Sequence, residues 1–140
     1  MPSKQQLIEF MEAEFPQCKS TLVAIGPKCA TLKHRVTEAE LRPGGTVSGP
    51  TLMALADVAL YVAILAEIGI VPLAVTTNLS INFMRKPRAD RDLIAECRLM
   101  KVGRSLAVGE VSVFSEGEPD AVAHVVGTYG IPPAPTAPTP

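Results

Sequence analysis

No tryptophan occurs in the chain, and aromatic residues of every kind amount to only 4%. Base-stacking platforms therefore have little to be built from. Positive charge is not in excess either, since 13 Lys and Arg meet 14 Asp and Glu for a formal net charge of −1. That balance argues against the basic field of a nucleic-acid binder, so no nucleic-acid partner is expected. The three cysteines, Cys18, Cys29 and Cys97, are odd in number, widely spaced and form no C-x-x-C pair. A disulfide framework or zinc cluster is not expected, and a reducing, cytoplasmic setting fits best. The opening stretch MPSKQQLIEFMEAEF lacks the unbroken apolar core of a secretory leader. The most apolar segment, Leu52 to Ile68, contains Asp57 and Glu67. It reads as too short and too charged to span a bilayer, so a soluble product with no membrane partner is expected.

What is present is a globular composition: 140 residues, 47% hydrophobic and 19% charged. A chain of this length buries roughly 68% of its unfolded surface, enough to fold without metal or disulfide. One domain over residues 1–130 is expected. Leu7, Ile8, Met11 and Phe15 fall at helical spacing, predicting a short helix over 3–15 that Pro16 stops. Strand-like runs follow at Thr21–Ile25 and Cys29–Val36, joined by the turn Gly26-Pro27-Lys28. Thr37 to Val47, with Pro43-Gly44-Gly45, reads as loop. A helix is predicted over about 50–68, with Ser48 or Gly49 as cap, Pro50 at the first position and Gly69 as terminator. It is apolar nearly all round, so other structure must enclose it. The remaining strands lie mainly within 72–129: Leu73–Met84, Leu93–Val102, Ser105–Ser115 and Ala121–Tyr129. The proline-rich segment 131–140 is expected to be a disordered tail. The pattern is α+β, an antiparallel sheet covering one buried helix.

Asp57 is the most informative residue. Ala54, Leu55, Ala56, Val58, Ala59 and Leu60 surround it in sequence, and an ionised carboxylate without partners is costly in such a wall. A structural aspartate satisfied by a neighbouring hydroxyl is the plain alternative to a catalytic one. The run Gly44-Gly45-Thr46-Val47-Ser48-Gly49-Pro50 leads into the same helix. It offers a helix N-terminus with free N–H groups, suited to a developing oxyanion.

GGTVSGPTLMALADVA resembles the signature of PaaI-like (phenylacetic acid degradation-type) hotdog thioesterases, G-T-V-H-G-G followed by an apolar run and L-A-D. TTNLSINFMRKP is similar to that family's strand after the helix. The resemblance runs from about Leu41 to Gly130. It implies a hotdog fold that self-associates as a homodimer, with a homotetramer as dimer of dimers. It implies hydrolysis of acyl-CoA thioesters with no metal and no cofactor, coenzyme A being part of the substrate. By the same resemblance Asp57 takes the place of the catalytic acid, as general base or as nucleophile. Gly49 matches the glycine whose N–H polarises the thioester carbonyl. Thr76 matches the residue that places the attacking water, with Thr77 in its place if the register slips by one. Three positions depart from the pattern: Ser48 replaces His, Pro50 replaces the second Gly, and Arg42 replaces a site-lining Asn or Gln. Ser48 can still donate a hydrogen bond, and Arg42 can bind a carbonyl or a phosphate.

Gly49 and Asp57 are eight residues apart on one helix, about 12 Å along its axis. They cannot both touch one carbonyl and its attacking water. If both are catalytic, each site takes Gly49 from one subunit and Asp57 from the other. Seven basic residues lie between Arg85 and Arg104, a region suited to the phosphates of CoA, with Arg85, Arg88 and Arg104 beside turns. Solvated, edge-protecting charges are the alternative there. Leu52, Met53 and Tyr61 are expected to wall the acyl group. His34 and His124 lie in strands with no acid and nucleophile in a recognised triad pattern. A non-catalytic acyl-CoA-binding module on the same fold is the second reading, favoured by Ser48 in place of His. Enoyl-CoA hydration would call for an Asp/His pair, and no His follows Asp57 within two turns.

Overall fold

A helix with no polar face must be enclosed on every side, and the sheet does the enclosing. The computed structural model describes residues 1–133. Helix α1 (Lys4–Glu14) is followed by β1 (Ser20–Gly26), β2 (Cys29–His34), a 3-10 turn (Glu38–Glu40), β3 (Leu41–Arg42) and β4 (Thr46–Val47). Helix α2 (Gly49–Ile68) then leads to β5 (Val75–Phe83), β6 (Leu93–Val102), β7 (Leu106–Ser115) and β8 (Ala123–Gly130). Six strands form one antiparallel sheet in the order β1-β2-β6-β7-β8-β5. It wraps α2, in which every residue from Ala59 to Leu65 is buried. This is the hotdog arrangement, with the short N-terminal helix in front of it.

The ends of the helices follow local chemistry. Ser3 and Gln6 exchange side-chain and backbone hydrogen bonds in a capping box that starts α1. Ser48 caps α2, Pro50 sits in its first turn, and Gly69 closes it at φ +104°. The expected loop 37–47 is more ordered than its composition suggests. Its 3-10 turn is followed by the hairpin β3–β4, whose tip uses Gly44 and Gly45 at φ +98° and +76°, a region that disfavours other residues. The strand expected from Leu73 begins instead at Val75, because Ala74 N–H closes a turn onto Val71 O at 3.1 Å.

One expectation about the core helix is corrected. At 20 residues, α2 is long and apolar enough to cross a membrane by length and composition alone. Its apolarity instead serves the interior, because the sheet packs around it. The expected tail lies outside the described residues from position 134 onward.

Close packing is tightest where the cross-strand pair Gly109 and Gly127 meets Leu60 of α2. A Cβ on Gly127 would lie 2.4 Å from Leu60 Cδ1 and 2.9 Å from Leu79 Cδ1. Leu60 is fully buried, so a shift of its side-chain end would have to be taken up by the packed core around it. Gly127→Ala is therefore expected to cost about 1–3 kcal/mol by overpacking. Denaturant titration checks this, and an unchanged midpoint would show that the socket yields.

Candidate active site

Asp57 lies on the half-buried side of α2 and faces the end of the sheet where β8 and β5 pair. Two hydroxyls reach it. Thr76 Oγ1 donates to Asp57 Oδ1 at 2.7 Å, and Tyr129 OH donates to the same oxygen at 2.6 Å. Tyr129 OH also lies 3.0 Å from the carbonyl oxygen of Asp57. No cation joins this group, and no protein donor reaches Oδ2 among the described residues. The carboxyl group is thus held by neutral partners at one oxygen, as a structural aspartate satisfied by neighbouring hydroxyls would be, and its other oxygen meets no protein donor among the described residues.

Register explains why Thr76, not Thr77, makes the contact. The β5–β8 pairing shifts between Thr76 and Asn78, so Thr77 is the extra residue of a bulge. Its hydroxyl turns to the carbonyl of Thr128 at 3.2 Å. Tyr129 was missed in the sequence. Its signal is period two: Ala123, Val125, Gly127 and Tyr129 form the buried face of β8, and a buried tyrosine hydroxyl needs a partner. Burial, and then the hydrogen bond to Asp57, pushes the Tyr129 phenol well above its ordinary value, so it stays a donor.

Asp57, Thr76 and Tyr129 open onto a cavity of about 720 Å3. Thr51, Leu55, Val58 and Tyr61 of α2 line it, along with Met11 and Phe15 of the N-terminal segment. Phe15 packs edge-on to Tyr61 at 5.4 Å between ring centres, and Tyr61 lies 6.1 Å from Tyr129. The Tyr61 hydroxyl donates to Pro72 O at 3.1 Å, so this ring both packs and lines the cavity. Leu52 is buried in the core and Met53 is exposed, and neither borders this space. Leu55 and Val58 take the wall positions expected of them.

The other sequence-derived candidates lie apart from Asp57 within one chain. Arg42 is exposed on β3, and Ser48, Gly49 and Pro50 form the start of α2. Pro50 has no N–H, Thr51 N–H goes to Ser48 Oγ at 3.4 Å, and Leu52 N–H goes to Ser48 O at 3.4 Å. Gly49 N–H, which has no intrahelical acceptor, is left as the unclaimed donor of that turn among the described residues. Ser48 Oγ also bonds Thr51 Oγ1 at 2.8 Å. Of the cations, Arg88 is bidentate to Asp90 and reaches Glu118 at 3.1 Å. Arg98 is 2.8 Å from Glu110. Arg85 donates to Ala121 O at 3.1 Å, and Arg104 is exposed beside the β6–β7 turn. The fold thus brings Glu110 of β7 to Arg98 and Glu118, in the turn after β7, to Arg88.

The reading of His34 is corrected. Antiparallel pairing sets Ser20 opposite His34, and the 3-10 turn brings Glu40 to its other ring nitrogen. An acid and a hydroxyl therefore flank this imidazole, which strand assignments alone could not show. Burial alone would raise the Glu40 carboxyl, but hydrogen bonds from His34 and Thr37 outweigh it and hold the group below its ordinary value. Cys97 is buried, which pushes its thiol up to about 12. Among the described residues no three His, Cys, Asp or Glu side chains gather to hold a metal.

A six-stranded sheet wrapped on one buried helix defines the fold class. The thioesterase superfamily model matches residues 44–122. A "putative esterase" of Deinococcus radiodurans is 31% identical over 108 residues, covering 77% of this chain and 71% of its own. The crystal structure of a "putative thioesterase" from Silicibacter sp. TM1040 is 48% identical with a TM-score of 0.87, covering 94% of this chain and 92% of that one. The phenylacetic acid degradation protein PaaI of Thermus thermophilus, in a mutant form, is 28% identical with a TM-score of 0.71, covering 88% and 98%. The chain belongs to the thioesterase superfamily, and its PaaI-like character is shared with these structures. It is a hydrolase of the thioesterase type.

Thr76 and Tyr129 share one acceptor oxygen, so Thr76→Val and Tyr129→Phe should be non-additive in a double-mutant cycle. Each hydrogen bond to the carboxylate contributes about 1.5–3 kcal/mol; strict additivity in denaturant titrations would show that the two act separately. Glu40 is held below its ordinary 4.5, so its contribution to stability is complete above that value and is lost as pH falls through the folded-state value. Glu40→Gln should therefore flatten the acid limb of the unfolding midpoint against pH; an unchanged limb would contradict the pairing.

Proposed function

We propose that the chain hydrolyses the thioester of a small or medium acyl- or aryl-acyl-CoA to the free acid and CoA. The observation that carries this reading is the Asp57 carboxylate, fixed at Oδ1 by two hydroxyls in the wall of an apolar cavity. Oδ2 takes a proton from water as the water oxygen attacks the thioester carbonyl. The thiolate of CoA then leaves and is protonated. Gly49 N–H, with the positive end of α2 behind it, polarises the carbonyl oxygen. The acyl group occupies the cavity beside Leu55, Val58 and Tyr61. Arg42, Arg85, Arg88 and Arg104 are the cations assigned to the CoA phosphates, with Arg88 exchanging a carboxylate partner for phosphate. The reaction runs without metal or cofactor, in the cytoplasm.

A shared site supplies the missing juxtaposition. Gly49 and Asp57 are separated by about 12 Å on α2, so Gly49 of one protomer serves Asp57 of its partner. Support comes from β5, the edge of the sheet, where Val75 and Phe83 are 56% and 54% exposed. An edge strand of nine residues with an exposed apolar residue at each end favours pairing with a second copy. A homodimer, and from it a dimer of dimers, is the assembly this reading requires.

Free-thiol release from a panel of acyl-CoAs tests the proposal. Asp57→Asn should reduce kcat by at least about 10²-fold while circular dichroism and CoA binding stay unchanged. Retention of near wild-type kcat would remove Asp57 from the mechanism. Saturable binding without thiol release by the wild type would favour the acyl-CoA-binding module, and a fully active monomer would overturn the shared site.

A further inference from the structure

Three polar side chains in the wall of the Asp57 cavity have no part in that reaction. Ser20, at the start of β1, pairs across the sheet with His34, the last residue of β2. Ser20 Oγ lies 3.2 Å from His34 Nδ1, and Glu40 Oε2 bonds His34 Nε2. Thr37 N–H and Thr37 Oγ1 both donate to Glu40 Oε1 at 2.9 Å. Ser20, His34 and Glu40 all line the cavity. His34 is 8% exposed and the Glu40 side chain 11%, so water screens their pairing little.

Proton positions follow from the partners. An ionised glutamate only accepts, so the tautomer that serves Glu40 carries its hydrogen at Nε2. That leaves the Nδ1 lone pair facing the Ser20 hydroxyl. A hydroxyl, a base within hydrogen-bond reach and an acid that orients the base form the arrangement of an activated nucleophile. The two ring nitrogens are exchanged relative to the usual serine-hydrolase order, which leaves each role intact. A packed histidine needs partners, but packing alone does not require its hydroxyl partner to border a cavity of about 720 Å3.

We propose that Ser20, with His34 as base and Glu40 as its orienting acid, forms a second acyl-transfer centre that takes small carboxylic esters and works independently of Asp57. Ser20 Oγ attacks the ester carbonyl carbon while its proton passes to His34 Nδ1, and Glu40 stabilises the imidazolium. Collapse of the adduct breaks the ester C–O bond, and the leaving alcohol takes the proton from Nδ1. Water, deprotonated by the same nitrogen, then cleaves the acyl-Ser20 ester and returns the proton to Ser20. Gln17 and Lys19, which border the same cavity, carry N–H donors for the oxyanion. Phe15, Val58 and Tyr61 give the acyl group an apolar wall.

The test is covalent labelling of the full chain with an aryl fluorophosphonate, read by intact mass and peptide mapping, alongside nitrophenol release from nitrophenyl butyrate. Wild type and Asp57→Asn should both gain one label at Ser20 and both release nitrophenol. His34→Gln should label at least about 10²-fold more slowly, and Ser20→Ala not at all at that position. Folded wild type without label at Ser20 overturns the proposal, and this result depends on no variant's folding. Equal labelling of folded His34→Gln, or nitrophenol release lost in Asp57→Asn, overturns it as well. Loss of thioesterase activity in Asp57→Asn with Ser20 labelling intact separates this centre from the Asp57 reading.

Discussion

Two hydroxyls meeting one carboxylate oxygen are what make the core helix workable. α2 is apolar because the sheet encloses it, and a lone ionised acid in such a helix would carry an uncompensated desolvation cost. Thr76 and Tyr129 offset part of that cost by donating to one of its oxygens. Neutral donors leave a carboxyl group that is positioned at one oxygen and free of protein donors at the other among the described residues.

That constraint reaches through the sheet. Tyr129 and Thr76 come from paired strands β8 and β5, and the bulge at Thr77 sets which threonine faces the acid. The close approach of α2 to β7 and β8 rests in turn on Gly109 and Gly127, whose missing side chains admit Leu60. Packing and chemistry are therefore one problem here. The glycine pair sets the depth of the helix, and that depth sets whether a strand hydroxyl can reach Asp57.

The fold was legible because its signals are local and strong. The all-apolar helix, its Ser48, Pro50 and Gly69 boundaries, and the alternation of the last strands each have a single easy reading. Asp57 was legible for the opposite reason, as a charge where charge is costly. What stayed hidden depends on registers between distant segments. Tyr129 is 72 residues from Asp57, and the alternation around it marks its ring as buried without saying what its hydroxyl meets. His34 looked isolated because Ser20 reaches it through β1–β2 pairing and Glu40 through a turn placed in a stretch read as plain loop. The bulge that separates Thr76 from Thr77 leaves no mark in composition at all.

Scarcity of aromatics acquires a meaning once they are placed. The chain has two Tyr and four Phe, and Phe10, Phe15, Tyr61 and Tyr129 form one cluster beside the cavity. α1 contributes to that cluster, so the short first helix helps build the cavity wall. The segment 37–48 then joins the cavity's polar groups to the helix start. Glu40 holds His34 through its side chain, while its carbonyl accepts Ser48 N–H at 2.9 Å. Ser48 caps α2 through Thr51 N–H, and Gly49 N–H meets no acceptor among the described residues. Glu40 therefore fixes two features at once, the ring of His34 in the cavity wall and the residue that caps the core helix.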